Sequence, residues 1–187
     1  AHTGTLGEKV SDLHAISLNP KIARIASAAG FLTGEPLTAR YYRSAAMSDW
    51  VRETMATGQI DAIIVFSSSM AQFALPYAGK VPVIMDFVDM DSDKWSQYAK
   101  SKSWPASWLY NREARTLAAF EAKVAAAFDH SLFVTADEVA LFQKNNPQVA
   151  DKVQAVQNGV DPASFDPALD FSRPDDLGSI SFVFTGA

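Results

Sequence analysis

The chain has 187 residues, a formal net charge of -5, 48% hydrophobic and 20% charged residues, a profile that excludes disordered and fibrous classes. The acidic balance argues against general nucleic-acid binding, which draws on a basic surface. Zero cysteines exclude disulfides, thiolate zinc sites and cysteine nucleophiles, and no apolar run approaches the roughly 20 residues of a membrane-spanning helix.

In chain order, residues 13–18 read as a strand ending at Asn19-Pro20, and 20–30 as a helix ending at Gly30. Ser44 is placed to cap a helix over 45–57, with Met47, Trp50, Val51 and Met55 on one face and Gly58 as its stop. Residues 60–66 form a strand, after which Ser67-Ser68-Ser69 supplies the cap of a short helix over about 69–77. The next strand is 81–87, followed by a long polar and aromatic segment from Asp89 to about Asn111. An Ala-rich helix covers 111–128, with Leu117, Phe120 and Val124 on one stripe. Residues 131–134 are a strand, 136–145 a helix stopping before Pro147, and 153–156 a strand closed by Asn158-Gly159, a pair suited to positive φ. Asp161 can then cap a short helix with Pro162 at its first position. The stretch 161–178 has the Pro/Asp composition of a linker, and 180–184 reads as a core strand opening a second domain.

Continuous apolar strands alternating with helices predict an α/β, Rossmann-like open and mainly parallel sheet. Ligands of such sheets bind beyond the carboxyl ends of strands. That points to the loops 67–70, 86–95, 135–138 and 157–162.

Among these, Asp86-Phe87-Val88-Asp89-Met90-Asp91-Ser92-Asp93 places four carboxylates at or just past a strand end. Clustered carboxylates raise one another's pKa and serve as bases or metal ligands. A calcium loop counted from Asp89 would need Gly and Glu where Lys94 and Lys100 stand, so it fails. A phosphatase nucleophile of the haloacid dehalogenase type matches Asp89-Met90-Asp91 but meets Asp93 at its last position. The plainer alternative is that Asp91 or Ser92 caps the following helix and the other acids face solvent.

Two further features stand out. Residues 94–115 hold Lys94, Lys100, Lys102, Arg112 and Arg115 against Glu113 alone, interleaved with Trp95, Tyr98, Trp104, Trp108 and Tyr110. This basic, aromatic stretch suits a lid over a sugar or a contact with anionic lipid; the alternative is aromatics packed under the sheet with solvated cations. The serines 67–69 lack a Gly-x-Ser-x-Gly elbow, and no glycine-rich phosphate loop is present. His2, His14 and His130 have no metal-ligand spacing.

Taken together, Val-Phe-Ser-Ser-Ser-Met-Ala (65–71), Met-Asp-Phe-Val-Asp-Met-Asp-Ser-Asp-Lys-Trp (85–95), Leu-Phe-Val-Thr (132–135), Val-Gln-Asn-Gly-Val-Asp (156–161) with Phe165, and Phe-Val-Phe-Thr-Gly-Ala (182–187) resemble bacterial GT-B glycosyltransferases. The Asn-Gly-Val-Asp turn is similar to the family-four-like members. The 86–95 stretch resembles the sugar transferases of exopolysaccharide and PEP-CTERM gene clusters. The resemblance spans roughly residues 10–187.

It implies the N-terminal, acceptor-side half of a GT-B fold, truncated at both ends: a Rossmann-like domain over 1–160, a linker over 161–178, and over 179–187 the first strand of a missing C-terminal donor domain. The implied activity is sugar transfer from a nucleotide sugar to a glycan or lipid-linked acceptor in exopolysaccharide synthesis, with the fragment inactive alone. Asp89 would be the catalytic or orienting carboxylate, with Asp91 as its neighbour. Ser67, Ser68, Ser69, Asp86, Lys94 and Trp95 form the acceptor-side set, Asp86 mainly anchoring the loop. No cofactor and no metal ligand is implied; the nucleotide sugar is a co-substrate. The setting implied is cytoplasmic, peripheral at the inner membrane. The central strands that open such folds are not found before residue 10, so an exposed sheet edge and self-association are expected. The competing readings are a non-enzymatic carbohydrate-binding or scaffold domain of the same fold, and the phosphatase.

Overall fold

The computed structural model describes residues 7–163 and Asp166. It is an α/β fold around a four-stranded sheet, β1 (Ile63–Phe66), β2 (Val83–Val88), β3 (His130–Phe133) and β4 (Val153–Ala155), in the order β1-β2-β3-β4. Every neighbouring pair is parallel, as the alternation of apolar runs and helices predicts. Before the sheet come α1 (Pro20–Ser27), α2 (Gly30–Thr33), α3 (Leu37–Tyr41) and α4 (Ala45–Ala56). The crossovers carry α5 (Ala71–Ala74), α6 (Asp91–Lys100), α7 (Ala106–Ala127) and α8 (Ala136–Asn145). Among the described residues no helix is long and apolar enough to cross a membrane.

The strands advance in one direction across the sheet. Right-handed crossovers in that order stack their helices on one face. The core confirms it: Val65, Val83, Met85, Phe87, Phe133 and Val153 pack with Ala71 and Ala74 of α5, Val124 and Ala125 of α7, and Phe142 of α8. Phe87, Phe133 and Phe142 form an aromatic cluster with ring centroids 5.0 to 5.8 Å apart. The opposite face carries Ile64 and Phe66, 75% and 65% exposed. Among the described residues no strand pairs with the outer edge of β1. Alongside it α4 leaves an apolar groove of about 330 Å³ lined by Met47, Trp50, Val51, Ile64, Phe66 and Phe73.

Several local expectations hold. Ser44 caps α4, accepting from the Met47 amide at 3.2 Å, and α8 starts on Thr135, whose Oγ1 accepts from Glu138 N at 3.2 Å. Others do not. Residues 12–19 form no strand: no neighbouring chain offers them a ladder, and backbone groups without a ladder stay with water. Within them His14 instead stacks on Trp50 at 5.1 Å. Asn19 Oδ1 accepts from the Lys21 amide at 3.1 Å and the Ile22 amide at 3.3 Å, so α1 begins there but stops at Ser27. Gly30 is no stop. It is buried inside α2, where an added Cβ would lie 2.9 Å from Glu35 O.

The polar and aromatic segment 89–111 is largely taken up by α6 and the first turn and a half of α7. Its polar, aromatic composition conceals helices whose buried positions are few: Ser92 and Ala99 in α6. Asn158 and Gly159 are not in the positive-φ region. Beyond them Asp161 Oδ1 accepts from Ala163 N at 3.0 Å within a turn; the short helix expected to follow Asp161 is not seen among the described residues. Contacts separate residues up to Gln157 from those after it, three residues before the expected boundary. Phe165, most of the 161–178 linker and the 179–187 strand lie outside the described residues.

Ser67 links the fold to the site. It has φ 71 and ψ 137, and its side chain caps nothing, contrary to the expected serine cap. A non-glycine residue held there costs about 1–3 kcal/mol, more than the entropy a glycine adds to the unfolded chain. Ser67→Gly is therefore expected to stabilise the protein by about 1 kcal/mol, read as a higher urea midpoint at unchanged slope. An unchanged or lower midpoint would show that the strain is absorbed by neighbouring backbone.

Candidate functional site

The carboxyl ends of β1 and β2 lie side by side, with Ser67 N donating to Asp86 O at 2.9 Å. At the end of β2 the chain makes a three-residue turn: Asp89 N donates to Phe87 O at 2.9 Å, with Val88 between them at φ 68. A β-branched residue in this region is an outlier, and a turn of this kind is rare and strained. Asp86 holds it, its Oδ1 accepting from Val88 N at 2.9 Å. The register between β2 and β3 slips at the same point, between Asp86 and Val88. Such irregularities re-aim the side chains that follow. Strained positions thus end both neighbouring strands, and the residue delivered past the second is Asp89.

The loop is then fixed from three other elements. Ser68 Oγ donates to Asp91 Oδ2 at 2.7 Å. Met90 N donates to Glu138 Oε1 at 3.0 Å, and Thr135 Oγ1 donates to the other oxygen of that carboxylate at 2.8 Å. Ser92 donates twice to Glu121, from N to Oε1 at 3.1 Å and from Oγ to Oε2 at 2.5 Å. The start of α6 is therefore capped by Glu121 of α7, not by Asp91 or Ser92 themselves, since its own cap position makes no side-chain bond. Glu121 is fully buried. Burial pushes its carboxyl up to about 7, helped by the nearby Asp91 and Asp93 charges and opposed by the Ser92 hydrogen bonds.

All four acids of the loop are partly exposed, and Asp89 is the one in an ion pair. Its side chain is 42% exposed and bonds the 47% exposed Lys94. That bond holds the Lys94 ammonium above its ordinary pKa. Asp93 accepts from Gln97 Nε2 at 2.6 Å. Trp95 is half-buried, edge-on to Tyr110 at 5.0 Å and Tyr98 at 6.4 Å. Beside the loop a groove of about 250 Å³ is lined by Ser92, Asp93, Ser96, Asn111, Arg115 and Asn145. This lining offers amide, hydroxyl, carboxylate and guanidinium groups together, the donor and acceptor mixture that hydroxyl-rich ligands need.

The sequence-derived set is therefore divided. Asp86, Asp89, Asp91, Lys94 and Trp95 gather at one strand end, with Ser67 adjacent. Ser68 and Ser69 are buried, at 0% and 2% exposure, behind the loop. Arg112 and Glu113 leave the basic surface altogether. Arg112 is buried, donating to Gly30 O and to Glu35 O, and Glu113 accepts from Leu37 N at 2.9 Å and Thr38 N at 2.8 Å. Lys100, Lys102, Trp104 and Trp108 do stay exposed, so the aromatics at 104 and 108 do not pack under the sheet. Among the described residues no group of three His, Asp or Glu is placed to hold a metal.

Sequence reasoning missed Glu121, Glu138, Asn111 and Asn145. The signal for Glu138 was present, as Thr135-x-x-Glu138 is a capping pattern. For Glu121 the signal was a carboxylate four residues after Leu117 on the apolar stripe of α7. No family model matches the chain, and no curated protein matches it.

Proposed function

We propose that this chain is the acceptor-side domain of a glycosyltransferase that moves a sugar from a nucleotide sugar to a glycan or lipid-linked acceptor. The observation that supports the reading is the delivery of Asp89, on a strained turn at a parallel strand's carboxyl end, one residue before Met90, where the lining of the mixed polar and apolar groove begins. Sugar transfer needs an acceptor hydroxyl held and oriented at the anomeric carbon, and a carboxylate can accept its proton or its hydrogen bond. Asp89 already has a partner in Lys94, but an exposed ion pair is worth only about 0–1 kcal/mol. Exchanging Lys94 for a hydroxyl donor is therefore inexpensive. Asp86, Glu121, Glu138 and Ser68 hold the loop, Asp91 receiving the Ser68 hydroxyl. Ser96, Asn111 and Arg115 line the ligand's path, with Trp95 packed on Tyr110 next to Ser96 in the chain. An exopolysaccharide setting rests on the resemblance of the 86–95 stretch, and self-association through the free edge of β1 belongs to the same proposal.

The test is an amide-resolved NMR titration of this chain with methyl hexosides and, separately, with nucleotide sugars. Hexosides are expected to shift amides at 89–96 and 111–115, and Asp89→Asn to weaken that binding about tenfold, the worth of one charge-assisted hydrogen bond. Nucleotide sugars should leave those amides unmoved. Hexosides without effect, or nucleotide sugars in their place, would defeat the assignment. Equal hexoside binding by Asp89→Asn would favour a carbohydrate-binding module, and magnesium-dependent phosphate release from an aryl phosphate would favour the phosphatase.

A further inference from the structure

Away from this loop the molecule exposes apolar side chains where a stable monomer seldom does. Helix α1 is inverted: Ala23 is its buried residue, while Ile22 and Ile25, one turn apart, are 65% and 78% exposed. In α2, Leu32 is 91% exposed. Helices α6 and α7 pack on each other as a hairpin, and the turn between them carries Trp104 at 80% exposure, with Trp108 at 54% in the first turn of α7. The two patches are joined, because Phe31 of α2 stacks on Trp108 with ring centroids 6.1 Å apart. Exposed apolar side chains gathered on neighbouring elements in this number mark an interaction site.

Charge identifies the partner. Lys21 and Arg24 alternate with the two isoleucines of α1, and Lys100 and Lys102 precede Trp104. No Asp or Glu occurs between residues 13 and 34 or between 94 and 112, in a chain whose net charge is -5. The acids that follow the two stretches are already used. Glu35 is bonded by Arg40, Arg43 and Thr33, an arrangement led by Arg43 that lowers its carboxyl to about 2, and Glu113 is buried. An amphipathic helix with lysine and arginine beside its apolar face is the make-up of an interfacial anchor. Tryptophan and lysine at a tip are the residues that bilayer interfaces favour. A protein partner would call for no such segregation of cations from acids.

We propose that Ile22, Ile25, Phe31, Leu32, Trp104 and Trp108, framed by Lys21, Arg24, Lys100 and Lys102, form a docking surface for an anionic lipid bilayer. The surface stands independently of any reading of the Asp89 loop. It is also larger than the basic, aromatic stretch visible in the sequence, since α1 and α2 supply half of it.

Vesicle co-sedimentation tests this directly, using phosphatidylcholine alone and with about 30% phosphatidylglycerol, a charge density that attracts basic residues near the surface. The chain is expected to pellet with the anionic vesicles only, with tryptophan emission shifting to the blue and binding falling as salt is raised. The double variant W104S/W108S is expected to lose at least about tenfold in apparent affinity. The variant K100E/K102E should lose a similar factor and part of the salt dependence. All four side chains are exposed, and unchanged circular dichroism would confirm that both variants fold. Absence of binding to anionic vesicles at low salt would overturn the proposal, as would equal binding by both variants. So would a vesicle-free dimer, seen by sedimentation velocity, that W104S/W108S abolishes: the surface would then belong to a second copy.

Discussion

Glu121→Ala is expected to lower the unfolding free energy by about 3 kcal/mol, because it opens a cavity and leaves the Ser92 amide and hydroxyl buried without an acceptor. The wild-type residue also gives stability a pH dependence of defined sign. Its carboxyl sits at about 7 in the folded protein against 4.5 ordinarily. Between those values the native state keeps a proton that the unfolded chain has released. The contribution is therefore full below the ordinary value and falls as pH rises through about 7, by about 3 kcal/mol in all. Glu121→Gln mimics the neutral acid, so its urea midpoint should stay nearly flat from pH 5 to 8 and exceed the wild type at pH 8. Parallel pH profiles for wild type and Glu121→Gln would mean that another group titrates there.

Glu113→Ala should act as strongly but locally. Glu113 takes the Leu37 and Thr38 amides at the start of α3, and Arg112 lies 3.5 Å from it. Arg112 in turn bonds Gly30 O and Glu35 O and lies over the Phe31 ring at 4.8 Å. Removing the carboxylate orphans two amides and leaves a buried guanidinium without its counter-charge, a change of about 3 kcal/mol or more. The loss falls where α1 to α3 are attached, so limited proteolysis should cut first between residues 13 and 43 while the sheet stays resistant. Uniform cleavage across the chain, or none, would show that these helices are held by other contacts.

The sheet was legible because its first two strands, Ile63–Phe66 and Val83–Val88, are mostly apolar runs of Val, Ile, Met and Phe, and the shorter β3 and β4 follow helices in the same alternation. The helices 45–56 and 136–145 were legible because Ser44 marks the start of the first and Pro147 follows the end of the second. What escaped depended on long-range partners. Residues 13–18 have a strand-like composition but no neighbour to pair with. Helix α6 is polar along most of its length, and its cap comes from Glu121, 29 positions further on. Gly30 looked like a stop signal but instead leaves room for Glu35 O, since an added Cβ would lie 2.9 Å from it. In the candidate site, the identities of the acids in 86–93 were readable, but their division of labour was not. Hydrogen bonds from Ser68, Val88 and Lys94 decide which carboxylates brace the loop and which one pairs with a cation.

Helix α7 carries the aromatic tip, the Arg112–Glu113 pair and the Glu121 carboxylate on one uninterrupted 22-residue rod. At 1.5 Å per residue, Trp108 and Glu121 stand about 20 Å apart along its axis. A rod of this kind neither shortens nor bends appreciably, so it works as a ruler. Whatever surface holds the tip, the Asp89 loop is kept at a set height above it. In the proposed bilayer-docked state, a ligand tethered to the same bilayer would reach the loop only with a stem matched to that spacing, so helix length would bear on ligand choice.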